Sequence, residues 1–160
     1  MQIRQSRLAD EPVLKQIDLA TWTTDSSPAP PATREQPFFE RNQPGDVLVA
    51  EADGLVIGYA VLRPGSAIPS HQHVLDVDGL AVDPAHQGRG AGRRLLEGCV
   101  EQARARGARK LSLRVLGTNA RARRLYESCG FQIEGILREE YLLDGRYVDD
   151  VLMARDLGAR

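Results

Sequence analysis

The most constraining feature of the sequence is Val82-Asp83-Pro84-Ala85-His86-Gln87-Gly88-Arg89-Gly90-Ala91-Gly92, set between a strand-like run and a long helix-like run. Three glycines fall within five residues, at Gly88, Gly90 and Gly92. Without Cβ atoms at those points the backbone can bend so that successive N–H groups aim at one spot. The helix that starts there brings the positive end of its dipole to the same spot. The pattern predicts a cradle for a phosphate or pyrophosphate, with Arg89, Arg93 and Arg94 close enough in sequence to contact further phosphates. Two common phosphate binders are excluded on specific residues. A Walker loop needs Gly-Lys-Ser/Thr at the helix start, where this chain has Gly92-Arg93-Arg94. A dinucleotide fingerprint counted from Gly88 needs a third glycine where Arg93 stands, and the loop comes late, after an antiparallel-looking segment.

The flanking sequence predicts an α/β (α+β) frame. A short strand at Ile3–Gln5 precedes a helix from about Ala9 to Thr21, whose Val13, Leu14, Ile17 and Leu19-Ala20 follow the helical period. The stretch from Thr23 to Pro31 holds Pro28, Pro30 and Pro31 and reads as an exposed loop. A short helix is expected near Arg34 to Asn42. Asp53-Gly54 joins strands Asp46–Glu51 and Leu55–Leu62 in a hairpin, because both turn positions need positive φ. Pro64 to His73 is a second loop, and Val74 to Val82 a strand entering the core. From Gly90 to Arg106, Leu95, Leu96, Cys99, Val100 and Ala103 build one apolar helix face, which Gly107 ends. Leu111, Leu113 and Val115 alternate as a strand, and Thr118 or Asn119 starts a helix that Gly130 ends. Ile133–Leu143 and Tyr147–Ala154 form a last hairpin around Asp144-Gly145. Strands and helices alternate only in the centre, which predicts a mixed sheet with helices on both faces.

At 160 residues the chain has room for one core, so residues 1–160 are read as a single domain. The formal charge is 21 − 22 = −1, which gives no global pull toward nucleic acid or an anionic membrane. No apolar run approaches the ~20 residues that span a bilayer, and the first residues carry no signal-peptide stretch. Cys99 and Cys129 sit in apolar, helix-like surroundings and are read as reduced core residues of a cytoplasmic protein. His71-Gln72-His73 has two imidazoles but no evident third ligand, so no metal site is expected. Arg121, Arg123 and Arg124 are read as a solvated helix face.

Gln87-Gly88-Arg89-Gly90-Ala91-Gly92 resembles the Gln/Arg-x-x-Gly-x-Gly/Ala loop of the GNAT acetyltransferase superfamily, and the preceding Leu80-Ala81-Val82 is in family form. A second block, Asn119-x-x-Ala122-x-x-Leu125-Tyr126-x-x-Cys129-Gly130-Phe131, is similar to the second cofactor segment of that family. The resemblance covers about Val74 to Leu157 well and the opening strand and helix loosely. It implies a mixed sheet of about seven strands, with a splayed parallel pair formed by Val74–Val82 and Lys110–Val115. It implies acetyl-coenzyme A as co-substrate, with the pyrophosphate on Gln87, Gly88, Arg89, Gly90, Ala91, Gly92 and Arg93. Arg89 and Arg94 are candidates for the adenosine 3′-phosphate. The pantetheine arm would pair with backbone groups of Leu80, Ala81 and Val82, and Asn119 would bond the cofactor arm.

The same resemblance places Tyr126 as the general acid for the departing thiolate, a role that suits a phenol still protonated at pH 7. Asp76 is the first candidate for the base that deprotonates the acceptor amine, with Asp78 second and a water relay as the third route. The acceptor, a small-molecule or protein amine, would lie between the early helical region and the last hairpin. That region is Thr23–Pro44, with Trp22, Phe38 and Phe39, together with the residues near Glu139–Tyr141 and Tyr147–Asp150. Two rival readings are a non-catalytic acetyl-coenzyme A sensor and an unrelated phosphate binder. The terminal strands suggest a homodimer.

Overall fold

In the computed structural model, which describes residues 1–158, the elements run β1 (Gln2–Gln5), α1 (Glu11–Thr21), α2 (Phe38–Arg41), β2 (Val47–Ala52), β3 (Leu55–Pro64), β4 (Val74–Val82), α3 (Ala91–Ala105), β5 (Lys110–Leu116), α4 (Ala120–Ser128), β6 (Gln132–Leu143) and β7 (Arg146–Asp156). The seven strands form one sheet in the order β1-β2-β3-β4-β5-β7-β6. The predicted α/β class, the mixed seven-stranded sheet and the parallel pair are all present. Both expected hairpin turns form, with positive φ at Asp53 (51°) and Gly54 (76°) and again at Asp144 (50°) and Gly145 (74°).

Two early elements differ from expectation, each because of proline. The first helix begins at Glu11, after a 3-10 turn at Leu8–Asp10, because Pro12 is tolerated only in the first turn. The helix expected from Arg34 shortens to α2, since Pro37 immediately precedes Phe38 and disfavours a helical residue before it. The Glu11 carboxylate accepts the amides of Phe38 and Phe39, the latter at 2.8 Å, and so ties the start of α2 to the start of α1.

Alternation along the strands gives the sheet two apolar faces. On one, α3 and α4 cover Leu62, Leu75, Val77, Leu111, Leu113, Val151 and Met153. On the other, Leu14 and Ile17 of α1 and Phe38 of α2 cover Val47, Val49, Tyr59 and Val61.

Between β4 and β5 the sheet opens. These strands run parallel, and only Val74 to Val77 pair with Lys110 to Leu113. Beyond that point β4 continues beside β3, and β5 beside β7, with no ladder between them. A bulge marks the parting. Val61 pairs with Gly79 and Leu62 with Val77, leaving Asp78 as the extra residue. A bulge bends its strand, which turns the end of β4 away from β5. It also changes which residues face which core: Leu75 and Val77 face α3 before it, and Leu80 and Val82 after it.

The β3 side of this bend tolerates no side chain at Gly58. An added Cβ would lie 2.8 Å from the Ala81 carbonyl oxygen and 3.3 Å from Val82 Cα. Gly58→Ala is therefore expected to cost ~1–3 kcal/mol of stability by forcing the end of β4 off β3. Urea denaturation checks this; an unchanged midpoint would mean that β4 can shift freely.

Candidate active site

The glycine loop hangs from the end of β4 by three fixed contacts. The Asp83 carboxylate accepts the Ala85 amide at 3.1 Å and lies 3.0 Å from His86 Nδ1. Gln87 Nε2 donates to the Val82 carbonyl at 3.0 Å, and Gln87 Oε1 accepts from Arg121 at 2.7 Å. Gly88 and Gly90 have φ of 76° and 85°, and an added Cβ at either would meet nothing within 4 Å. Both are therefore glycine for backbone conformation, on a face open to a ligand. The first intrahelical bond of α3 runs from the Arg94 amide to the Gly90 carbonyl at 3.0 Å. Among the described residues, no acceptor is bonded by the amides from Gly88 to Arg93. Unbonded amides at a helix N-terminus are an arrangement that suits an anion.

A cavity of about 1430 Å³ starts at this loop, follows the gap between β4 and β5, and reaches the α1–α2 side of the sheet. Of the residues singled out from sequence, Asp76, Asp78, Leu80, Ala81, Val82, Gln87, Gly88, Gly90, Ala91, Gly92, Arg93, Asn119 and Tyr126 all line it. Arg89 does not, and Arg94 instead donates to the Met1 carbonyl beside β1, at 3.3 Å. Arg93 is anchored to the end of α4 through Ser128, at 2.9 Å to Oγ. Asn119 caps α4, its Oδ1 accepting the Ala122 amide at 3.1 Å, so Nδ2 is its free polar group for a ligand.

Tyr126 is buried on α4, edge-on to Phe131 with ring centroids 6.0 Å apart, yet it lines the cavity. Burial pushes its phenol up to about 12, so it keeps its proton throughout the neutral range. Asp76 sits where β4 and β5 are still paired, and its carboxylate accepts the hydroxyl of Ser112, its register partner. Asp78, on the bulge, is more exposed and is paired with Arg63. Asp150 on β7 also lines the cavity. Burial raises its pKa against the pull of Arg114, whose Nε lies 2.7 Å away.

The acceptor side differs in detail from the sequence reading. Trp22, Tyr141 and Asp150 line the cavity, but Phe38 is core at 1% exposure. Tyr147 and Asp149 face a separate, shallow depression. Sequence reasoning missed Asp18 and Tyr59 and took in Arg34 and Arg41 only as part of the Thr23–Pro44 segment; the four form one cluster on the cavity wall. The available signal was Asp18 itself, a carboxylate four residues after Leu14 on the apolar stripe of α1. Among the described residues, no group of three or more His, Cys, Asp or Glu is placed to hold a metal, and no helix is long and apolar enough to cross a membrane.

Comparison with known proteins places this geometry in a family. The family model described as "Acetyltransferase (GNAT) family" matches residues 12–131. An L-methionine sulfoximine/L-methionine sulfone acetyltransferase of Salmonella typhimurium is 32% identical, over 69% of this chain and 64% of the relative. The N-alpha-acetyltransferase RimI of Mycobacterium tuberculosis is 38% identical, over 68% of this chain and 65% of the relative. The match thus spans slightly less than two thirds of either relative. The solved structure of yncA from Salmonella typhimurium, with its cofactor acetyl-CoA, superposes with a TM-score of 0.84 at 28% identity, covering 100% of this chain and 95% of that one. With the open parallel pair, the glycine cradle and the family match over residues 12–131, the chain belongs to the GNAT acetyltransferase family.

Proposed function

We propose that the protein is an acetyl-coenzyme A-dependent N-acetyltransferase that acetylates an amine bound on the α1–α2 side of the sheet. The observation that carries this reading is the continuous cavity, which joins the amide cradle of the glycine loop to the β4–β5 gap and the acidic wall beyond it. The residues present fit the donor. Unbonded amides from Gly88 to Arg93 suit its pyrophosphate, and the β4 edge from Leu80 to Val82 suits the amide groups of its arm. The bound donor supplies an activated acetyl thioester; the chain supplies binding, alignment and proton handling.

An alkyl amine with a pKa of about 10 arrives mostly protonated and must lose a proton before its lone pair can attack. Asp76 is the proposed base. It is half-buried, lines the cavity and has no cationic partner among the described residues, whereas Asp78 is occupied by Arg63. Tyr126 is the proposed acid, donating its phenolic proton to the departing sulfur. A phenol held near 12 does not deprotonate before the substrate arrives, so its O–H is present to donate as the thiolate forms beside it. This chemistry needs no enzyme nucleophile. Cys99 and Cys129 are both buried and neither lines the cavity, and burial pushes the Cys99 thiol up to about 12.

Three outcomes are expected. In calorimetry the chain binds acetyl-coenzyme A with micromolar affinity, and Gly90→Glu weakens binding at least ~100-fold, since it strains a positive-φ site and sets a carboxylate against the phosphates. Failure of the unaltered chain to bind would overturn the assignment. Tyr126→Phe lowers kcat by ~10²-fold or more with little change in donor affinity. Because the Tyr126 proton is retained well into the alkaline range, kcat in the unaltered chain should not fall below about pH 10. An unchanged kcat in Tyr126→Phe would contradict the acid role, whereas an alkaline fall near pH 8 that the substitution abolishes would contradict only the raised pKa. Asp76→Asn lowers kcat/KM at pH 7 by ~10-fold or more and Asp78→Asn by less than about threefold; the reverse order would move the base to Asp78.

A further inference from the structure

The cavity wall opposite the strands carries an unbalanced positive charge. Arg34, in a 3-10 turn at Pro31–Arg34, and Arg41, in α2, both reach the Asp18 carboxylate, with Arg34 Nε at 3.4 Å and Arg41 at 2.6 Å. The Tyr59 hydroxyl donates to Oδ1, the oxygen that Arg34 Nε approaches, at 2.7 Å, while Arg41 holds Oδ2. One carboxylate therefore serves two guanidiniums, leaving a net charge of +1 on side chains only 19% and 26% exposed. The Nε groups of both arginines are buried without a hydrogen-bond acceptor among the described residues, Arg34 Nε being near Asp18 but not directed at it. Such donors are costly to leave unmade.

Most charges on the strand wall are already matched. Asp150 pairs with Arg114 and Glu134 with Lys110, each at 2.7 Å, and Asp78 pairs with Arg63. Asp76 is the carboxylate on that wall left without a cation among the described residues. Asp25 also borders the cavity, but it is exposed at the loop, where water screens it. The cavity thus has a spare positive charge on its helical wall and a spare negative charge on its strand wall.

We propose that the acceptor is a small zwitterionic amino acid, its carboxylate held by Arg34 and Arg41 and its amine turned toward Asp76. Arg34 already gives one Nη1 hydrogen to Thr33 and one Nη2 hydrogen to Ser27, at 2.9 and 3.2 Å, but a guanidinium carries five donors, so both arginines keep N–H groups that can meet a carboxylate. The inference rests on the acetyl-transfer reading and adds to it the chemical class of the acceptor.

The test measures thiol release from acetyl-coenzyme A with three matched sets. Leucine is compared with leucinamide, glutamine with glutaminamide, and 6-aminohexanoate with hexylamine; a peptide with a free N-terminus and an amidated C-terminus completes the panel. At least one acid is expected to exceed its uncharged partner by ~10-fold or more in kcat/KM, since a charged hydrogen bond is lost with the carboxylate. Arg34→Gln and Arg41→Gln should each reduce that ratio toward one, through KM for the acid, with Arg34→Lys retaining part of it. Arg41 also ties α2 to α1, so if Arg41→Gln fails to fold, Arg34→Gln carries the comparison. Equal use of acids and amides, a ratio unmoved by the substitutions, or preference for the amidated peptide overturns the proposal. Acetyl-coenzyme A binding without turnover of any of the acids overturns the acceptor class alone. No acetyl-coenzyme A binding overturns the acetyl-transfer reading and this inference with it.

Discussion

Everything at this site depends on two parallel strands that pair for four residues and then part. A strand edge buried without partners is costly, and natural sheets normally cover or pair such edges. Here the gap persists because both strands are secured from their outer sides, β4 by β3 and β5 by β7. The bulge at Asp78 supplies the bend, and the missing side chain at Gly58 lets β3 follow it. Below the gap, α3 and α4 close the sheet together: a Cβ at Gly92 would lie 3.1 Å from Leu125 Cδ2, so the two helices meet where the strands do not. An edge held open in this way, and continuous with a ring of unbonded amides, is a template for an extended ligand with its own amide groups and an anionic end.

The glycine loop shows how local sequence becomes a rigid receptor. Its glycines alone would give flexibility, since each has more conformations to lose than any other residue. The loop is instead clamped on both sides by Gln87, which holds the Val82 carbonyl and is held by Arg121 of α4. The bonds of Arg93 to Ser128 fix the other shoulder. Two side chains matched to the family's phosphate motif therefore act in this chain as struts, leaving the backbone amides to face the ligand. This division reduces the ordering cost of binding, because the amides are already aimed when the anion arrives.

Much of this was legible in the sequence, for identifiable reasons. The strand Val74–Val82, the helix ending at Gly107 and both Asp-Gly turns are set by short-range rules of period, capping and positive φ, and they form as expected. The glycine loop and the helix that follows it were legible because glycine spacing and helix start are local. The cluster of Asp18, Arg34, Arg41 and Tyr59 was not, because its members come from distant positions and meet only once α1 and α2 are folded onto β3. Phe38 falls in the segment expected to face the acceptor, but its ring packs edge-on against Tyr59 at 4.9 Å and fills the core. The exclusion of Arg94 has the same origin, since its partner is the Met1 carbonyl, 93 positions away.

The charge pattern of the cavity ties acceptor binding to the proposed chemistry. A carboxylate paired tightly with a cation is stabilised in its charged form and loses basicity, whereas one with only a hydroxyl partner is less restrained. Asp78 and Asp150 have guanidinium partners that offset their charge, although burial keeps the Asp150 carboxyl raised. Asp76 has the Ser112 hydroxyl, which orients one oxygen and leaves the carboxylate uncompensated until a cationic amine enters. The proton that Asp76 would take and the proton that Tyr126 would give come from opposite sides of the β4–β5 gap, since Asp76 shares its face with Ser112 and Tyr126 lies in the α3–α4 core. The acceptor would then have to enter from the α1–α2 side and the thiol leave toward α4. A gap between strands permits that arrangement, and a continuous sheet would block it.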